Sequence, residues 1–150
     1  IDKEAVRDNT KAEKKNRAKY LSVKLLNEMG VASQSFNRGD VLRVDLAWPG
    51  LGADHIESIG VNIFKQTGEH VTGINSRFTK HSKDWKSAGK IAIDFTLDIA
   101  NGSYYVLPEI FKIEGERIDT IIDGPKFTVK GENVKWSGIF ELEHNWREDI

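Results

Sequence analysis

The chain of 150 residues contains no cysteine, and no apolar run approaches the length of a membrane-spanning helix. The absence of cysteine excludes disulfides, thiolate metal sites and cysteine nucleophiles, and it suits a reducing compartment. A spanning helix needs about 20 mostly apolar residues, and a leader with a charged start and an apolar centre is missing as well. We therefore expect a domain that does not cross a membrane.

Neither sign of charge is in excess, because 22 basic residues stand against 23 acidic ones and leave a formal charge of -1. Nucleic-acid-binding domains usually carry a net basic field, so no nucleic-acid partner is expected. The apolar fraction of 39% and the charged fraction of 30% are typical of a globular protein. A chain of this length suits one hydrophobic core.

Two regions differ in pattern. Residues 2–19 are dense in charge, with only Ala5, Val6, Ala12 and Ala18 as clearly apolar positions. That stripe is too narrow for a buried helix, so we predict a charged linker or tether there, and we interpret the chain as a piece of a longer protein. Residues 20–150 are predicted to form the folded domain.

From Tyr20 onward, apolar and polar residues alternate with a period of two, and turn residues separate the runs. One-sided alternation of this kind is typical of strands with one buried face. The pattern predicts an all-β fold, an antiparallel β-sandwich of about nine short strands. The predicted strands lie near residues 21–25, 41–48, 61–63, 70–74, 91–99, 104–113, 118–122, 127–129 and 136–144.

Motifs for enzyme chemistry are not found. Gly89-Lys90 resembles the end of a phosphate-binding loop. The motif also needs glycine at position 84 and serine or threonine at position 91, but this chain has Asp84 and Ile91 there. No serine lies in a nucleophile elbow. We expect a non-catalytic domain without a cofactor.

Metal and carboxylate sites are also not expected. The histidines lack metal-ligand spacing; they are His55, His70, His81 and His144. Two carboxylate pairs lie on common strand faces and could imitate the pair of a glycosidase; they are Asp94 with Asp98, and Glu141 with Glu143. Polar faces of half-exposed strands look the same, and we favour that interpretation.

A carbohydrate-binding module needs only an aromatic platform beside amide, carboxylate or guanidinium groups. The segment from Asn75 to Trp85 contains all of these, although its aromatic residues could equally pin a loop to the core. Tyr104 and Tyr105 have opposite parity, so one of them should be buried and the other available. The residues predicted to contact carbohydrate are Asn62, Asn75, Arg77, His81, Trp85 and Tyr105.

The order of several short segments resembles the C-terminal domain of Wzt, the nucleotide-binding subunit of ABC transporters that export O-antigen polysaccharide. The resemblance covers roughly Tyr20 to Trp146 and depends on order and spacing. The segments are Phe36-Asn37-Arg38-Gly39-Asp40, Gly60-Val61-Asn62-Ile63, Gly68, Val71-Thr72-Gly73-Ile74-Asn75-Ser76, Asn101-Gly102-Ser103-Tyr104, Phe127-Thr128-Val129, Gly138 and His144-Asn145-Trp146.

The resemblance implies a cytoplasmic, immunoglobulin-like, jelly-roll-like β-sandwich that forms a homodimer by exchange of its C-terminal strand, here Lys135 to His144. It implies recognition of the non-reducing end of a lipid-linked O-antigen polysaccharide and a membrane permease subunit as partner of the full-length protein, peripheral to the inner membrane. Two alternatives stay open, a module attached to a polysaccharide-assembling glycosyltransferase and a pure dimerisation or docking domain. The basic segment after Asn75 suggests an anionic cap on the glycan.

Overall fold

The computed structural model describes residues 21–49, 56–78, 89–112, 117–131, 138–140, 142 and 144–148. Over these residues the chain forms β1 (Ser22–Leu26), β2 (Ser35–Asn37), β3 (Val41–Trp48), β4 (Ile56–Lys65), β5 (His70–Asn75), a 3-10 helix (Ser76–Phe78), β6 (Gly89–Thr96), β7 (Gly102–Lys112), β8 (Arg117–Thr120) and β9 (Lys126–Lys130). Within this part of the chain no helix is long and apolar enough to cross a membrane.

The strands form two sheets, and the prediction of an all-β sandwich is confirmed. The three-stranded sheet has the order β1-β3-β6. The six-stranded sheet has the order β2-β9-β7-β4-β5, with β8 paired to β7 beside β9. Because hydrophobic residues alternate along each strand, each sheet has one apolar face, and the two apolar faces pack against each other.

The core follows the predicted parity. On β3 the even-numbered residues Leu42 to Trp48 are at most 4% exposed, and Val61 and Ile63 of β4 are at most 2% exposed. Tyr104 is fully buried, whereas Tyr105 is half-buried on the other face of β7. This difference confirms that one tyrosine of the pair belongs to the core and the other to the surface.

Tyr104 links the loop between β6 and β7 to the core. Its hydroxyl donates a hydrogen bond to the carbonyl oxygen of Ala100, four residues earlier in the chain. This arrangement matches the tyrosine corner of immunoglobulin-like sandwiches. Burial raises the pKa of the Tyr104 phenol, so the side chain stays protonated and keeps its donor.

One strand pairing differs from the predicted antiparallel arrangement. The short strand β2, which the alternation did not reveal, pairs in parallel with β9. Phe36 is its only buried residue, and its ring meets Phe127 edge to face with centroids 6.0 Å apart. The segment therefore covers the edge of β9 and adds one aromatic side chain to the core, which is too little for a period-two signal.

The edge of β7 that faces away from β4 is paired with two short strands instead of one continuous strand. β8 pairs with the second half of β7 and β9 with the first half, and a turn at residues 121–125 separates them. Pro108 lies in β7 opposite the break and has no N–H to offer to a neighbouring strand. Gly124 lies in the break so close to Val106 that an added Cβ would overlap the Val106 carbonyl oxygen.

The predicted last strand, residues 136–144, falls partly outside the described residues. Its described residues, at 138–140, 142 and 144, are not in a strand in the single chain. Ile139 packs against the core and its carbonyl oxygen accepts a hydrogen bond from the Ala100 N–H at 2.9 Å. Beyond it the apolar residues Leu142 and Trp146 are 79% and 92% exposed.

Candidate functional site

The outward face of the six-stranded sheet gathers the aromatic and polar residues that a saccharide site requires. Residues directly opposite each other on paired strands share a face, and the register places three rows of them on the outside of β5, β4 and β7. We call this surface the site face, and it is formed by His70, Phe64, Tyr105, Asn62, Gly73, Leu107, Asn75, Gly60 and Glu109.

The first row is aromatic. The rings of Phe64 and Tyr105 stack with centroids 5.3 Å apart and an interplanar angle of 10°. The imidazole of His70 lies on the other side of Phe64, with centroids 4.9 Å apart. Three neighbouring strands thus contribute three neighbouring rings, each half-buried or exposed. Such a row offers an extended apolar surface to the C–H face of a sugar.

A β-bulge brings His70 into this row. The β4–β5 register shifts between Ile63 and Phe64, so that Phe64 faces His70 instead of Val71. In an unbroken strand His70 would share the face of Thr72, which lies opposite Ile63. Bulges re-aim side chains next to functional sites, and here the bulge places the imidazole on the site face.

A chain of hydrogen bonds crosses the site face diagonally from β5 to β7. His70 Nε2 lies 3.2 Å from Asn62 Oδ1, and Asn62 Nδ2 donates to Glu109 Oε1 at 3.3 Å. Each of these polar groups is held by a neighbour before any ligand arrives. Side chains fixed in this way bind with a smaller loss of conformational entropy than free ones.

Two glycines keep the site face open. A Cβ at Gly73 would overlap Asn62 Oδ1 and come within 3.1 Å of His70 Nε2. A Cβ at Gly60 would meet the Phe111 ring at 3.4 Å and Asn75 Nδ2 at 3.5 Å, which is ordinary contact. The contact between His70 and Asn62 therefore requires glycine at position 73. At position 60 a side chain would only fill part of the space above the site face.

The six predicted carbohydrate-binding residues have different outcomes. The structure brings Asn62, Asn75 and Tyr105 together on the site face. Arg77 lies exposed in the 3-10 helix just beyond the site face, and its backbone N–H donates to Asn75 Oδ1 at 2.9 Å. His81 and Trp85 lie outside the described residues. Contact of these six residues with a saccharide remains a prediction.

Sequence reasoning missed Phe64, His70 and Glu109. Phe64 and Glu109 share the parity of Asn62 and Tyr105 on their own strands, so parity was a usable signal for both. For His70 it was misleading because of the bulge. The hydrogen bond between Asn62 and Glu109 joins residues that are 47 positions apart in sequence, so no local sequence pattern predicts it.

The residues considered for catalysis form a different arrangement. Arg43 Nε donates to Asp94 Oδ1 at 2.9 Å on the outer face of the three-stranded sheet. This hydrogen bond lowers the pKa of Asp94, whereas a general acid needs a raised pKa. Glu141 and Glu143 lie outside the described residues. Within the described part of the chain, no group of three or more histidine, aspartate or glutamate residues could hold a metal ion.

The fold is a β-sandwich, and aromatic and polar side chains gather on one outer sheet surface, the site face. The family model of the Wzt C-terminal domain matches residues 9–142. The crystal structure of the C-terminal domain of Wzt superposes with a TM-score of 0.66 at 14% identity, covering 87% of this chain and 83% of that one.

A second structure, the PmoD soluble domain from Methylocystis sp. ATCC 49242, gives a TM-score of only 0.45 at 12% identity, over 73% of this chain and 90% of that one. That likeness is too weak to support an argument. The comparison with curated proteins found no match.

The chain belongs to the Wzt C-terminal domain family, as the family match over most of its length shows. At the level of the family it is a carbohydrate-binding domain in the context of an ABC transporter, and domains of this family are in general non-catalytic. The resemblance noted in the sequence is thereby confirmed.

Proposed function

We propose that this chain is a non-catalytic module that binds the non-reducing terminus of a lipid-linked O-antigen polysaccharide on the site face. The observation that carries the proposal is the stacked pair of Phe64 and Tyr105 beside the hydrogen-bonded pair of Asn62 and Glu109. Protein sites for sugars combine an apolar platform with a few placed polar groups. Both elements occur here on adjacent rows of the same sheet.

The family context supports a role in export. Recognition of the finished end of the polysaccharide would couple chain completion to transport, with the charged residues 1–19 as the tether to an ATPase domain. In the full-length protein a membrane permease subunit would be the partner. The location would then be cytoplasmic and peripheral to the inner membrane.

Binding should depend on the terminal sugar. We expect purified polysaccharide from the native host to shift the backbone amide resonances of β4, β5 and β7 in titrations followed by NMR. Removal of the terminal residue should abolish these shifts, because an open sheet face recognises an end through a few groups only. Tyr105→Ala should weaken binding about tenfold, since it removes one ring of the platform.

Arg43→Gln is the matched control for this experiment, because it changes a polar residue on the outer face of the other sheet. It should bind like the wild type. A pure docking domain would give no saccharide-dependent shifts at all, and equal binding of intact and trimmed polysaccharide would contradict recognition of the terminus.

We further propose that two copies of the chain associate through their C-terminal segments. Phe140, Leu142 and Trp146 are 48%, 79% and 92% exposed, and they occupy positions of the same parity, as in a strand with one apolar face. Among the described strands, β6 pairs only with β3. An edge that no described strand covers and a segment with strand-like alternation are complementary.

Truncation after Ile139 should convert a dimer into a monomer in analytical ultracentrifugation, because it removes the exposed apolar residues and leaves the contact with Ala100 in place. Met29→Ser is the control, since Met29 is 85% exposed in the turn after β1 and far from this segment in sequence. A truncated chain that still dimerises would disprove exchange of the C-terminal segment.

A further inference from the structure

Aromatic side chains lie at both ends of the site face. The stacked rings of Phe64 and Tyr105 form its first row. Phe111 lies six residues further along β7 with the same parity as Tyr105, and it is half-buried. A Cβ at Gly60 would meet the Phe111 ring at 3.4 Å, so this ring lies beside the last row of the site face. At about 3.4 Å per residue the two aromatic positions are roughly 20 Å apart along the strand, which is longer than one sugar ring.

The 3-10 helix adds a further aromatic ring at this second end. Phe78 is its last residue and is 85% exposed. The helix follows β5 directly, and the N–H of Ile59 in β4 donates to Ser76 Oγ at 2.9 Å. Asn75 Oδ1 accepts the backbone N–H of Arg77 at 2.9 Å. Single exposed phenylalanines are common on protein surfaces, but this one is held on an anchored turn next to the last row of the site face. Such a ring offers contact area at a small cost in conformational entropy.

Polar groups of both kinds lie between the two aromatic ends. Because Asn75 Oδ1 accepts from Arg77, the amide turns Nδ2 toward Gly60, where an added Cβ would lie 3.5 Å from it. Asn75 therefore offers a donor. Glu109, opposite Gly60 on β7, offers acceptors and also holds Asn62 at 3.3 Å. These groups are spread along the strands instead of surrounding one point. The arrangement fits several linked sugar units, each of which carries hydroxyl groups that donate and accept.

We propose that the glycan lies along the strands, with its terminal sugar on the first row and its inner units on a second platform formed by Phe111 and Phe78. The direction follows from the chemistry of the two ends. The first row combines its rings with the imidazole of His70, the hydroxyl of Tyr105 and, on β9 opposite Tyr105, the exposed Lys126. Polar groups fix the orientation of one particular unit, whereas apolar rings accept the C–H face of any unit. This inference rests on the proposed function and adds the direction and the length of the bound segment.

Fragments of the native polysaccharide that carry its terminal residue and differ only in length test the inference. We expect the affinity of the wild-type domain, followed by NMR titration, to rise at least tenfold from the single terminal sugar to a hexasaccharide. The amide resonances of Phe64 and Tyr105 should shift with every fragment. Those of Arg77 and Phe111 should shift only with the longer fragments, because only the inner units reach that end.

Phe78→Ala should remove most of the gain in affinity with length and leave the affinity for the single terminal sugar unchanged. Its side chain is exposed, so the substitution should not disturb the fold. Tyr105→Ala should weaken the binding of every fragment, since it changes the first row. Met29→Ala is the matched control, because Met29 is also an apolar side chain that is 85% exposed, and it lies in the turn after β1. It should bind all fragments like the wild type.

Equal wild-type affinity for fragments of all lengths would overturn the inference. A Phe78→Ala variant that binds every fragment like the wild type would overturn it too. The same holds if this variant loses as much affinity for the single sugar as for the longest fragment, because the terminus would then lie at the opposite end. Absence of binding to every fragment and to the whole polysaccharide would instead overturn the proposed function.

Discussion

Replacing Gly124 by alanine should remove most of the stability of the domain. The added Cβ would overlap the carbonyl oxygen of Val106 and lie close to its carbon, and both atoms belong to the backbone of the central strand β7. The chain on either side cannot move away easily, because Pro125 accepts a hydrogen bond from Val106 N–H and Ile121 donates one to Pro108. Overlap with a fixed backbone belongs to the most destabilising class of substitutions.

We expect a loss of about 4 kcal/mol or more in the free energy of unfolding, measured by urea denaturation. Domains of this size are stable by only about 5–15 kcal/mol, so the variant should be marginally folded. Gly60→Ala is the control, since Gly60 is also buried in the six-stranded sheet but its added Cβ would make only ordinary contacts. Equal denaturation midpoints for the two variants would show that the close approach at Gly124 is not required.

Gly73→Ala should abolish most of the saccharide binding and leave the fold intact. Its Cβ would overlap the side-chain oxygen of Asn62, and that atom is the end of a rotatable side chain. The strain is relieved by rotation of Asn62, so the cost falls on the hydrogen bonds to His70 and Glu109 and not on the backbone. We expect at least a tenfold weaker affinity for the native polysaccharide by calorimetry, with a denaturation midpoint near that of the wild type.

Gly60→Ala serves here as well, because it adds one methyl group to the same face without touching Asn62. It should bind much more tightly than Gly73→Ala. If both variants lose affinity equally, simple filling of the site face accounts for the loss, and the fixed orientation of Asn62 is unimportant. The comparison separates the shape of the surface from the geometry of its polar groups.

Strands with long, one-sided alternation were predictable from sequence. β3 was predicted with its observed bounds, because apolar residues at every second position from Leu42 to Trp48 admit one register only. The hairpin of β4 and β5 followed from Gly68 between two such runs, and this glycine has a positive φ of 99°. Short or irregular elements such as β2 carry no comparable pattern.

The site was predictable only in part, for a physical reason. Parity placed Asn62 on a solvent-facing side, and it showed that one of Tyr104 and Tyr105 faces solvent without deciding which. Their meeting with Glu109 depends on which strands pair, and that is decided by core packing over long sequence separations. His70 depends on a one-residue bulge, which reverses the face that parity assigns.

The small extent of the site face has a consequence for the proposed role in export. It spans three neighbouring strands, β5, β4 and β7, and strands lie about 4.8 Å apart, so it measures roughly 10 Å from edge to edge. A patch of these dimensions covers only the first units of a long polymer. A domain with the proposed function would read the tip of a chain and not the number of repeats behind it, and under that proposal control of polymer size falls to another component.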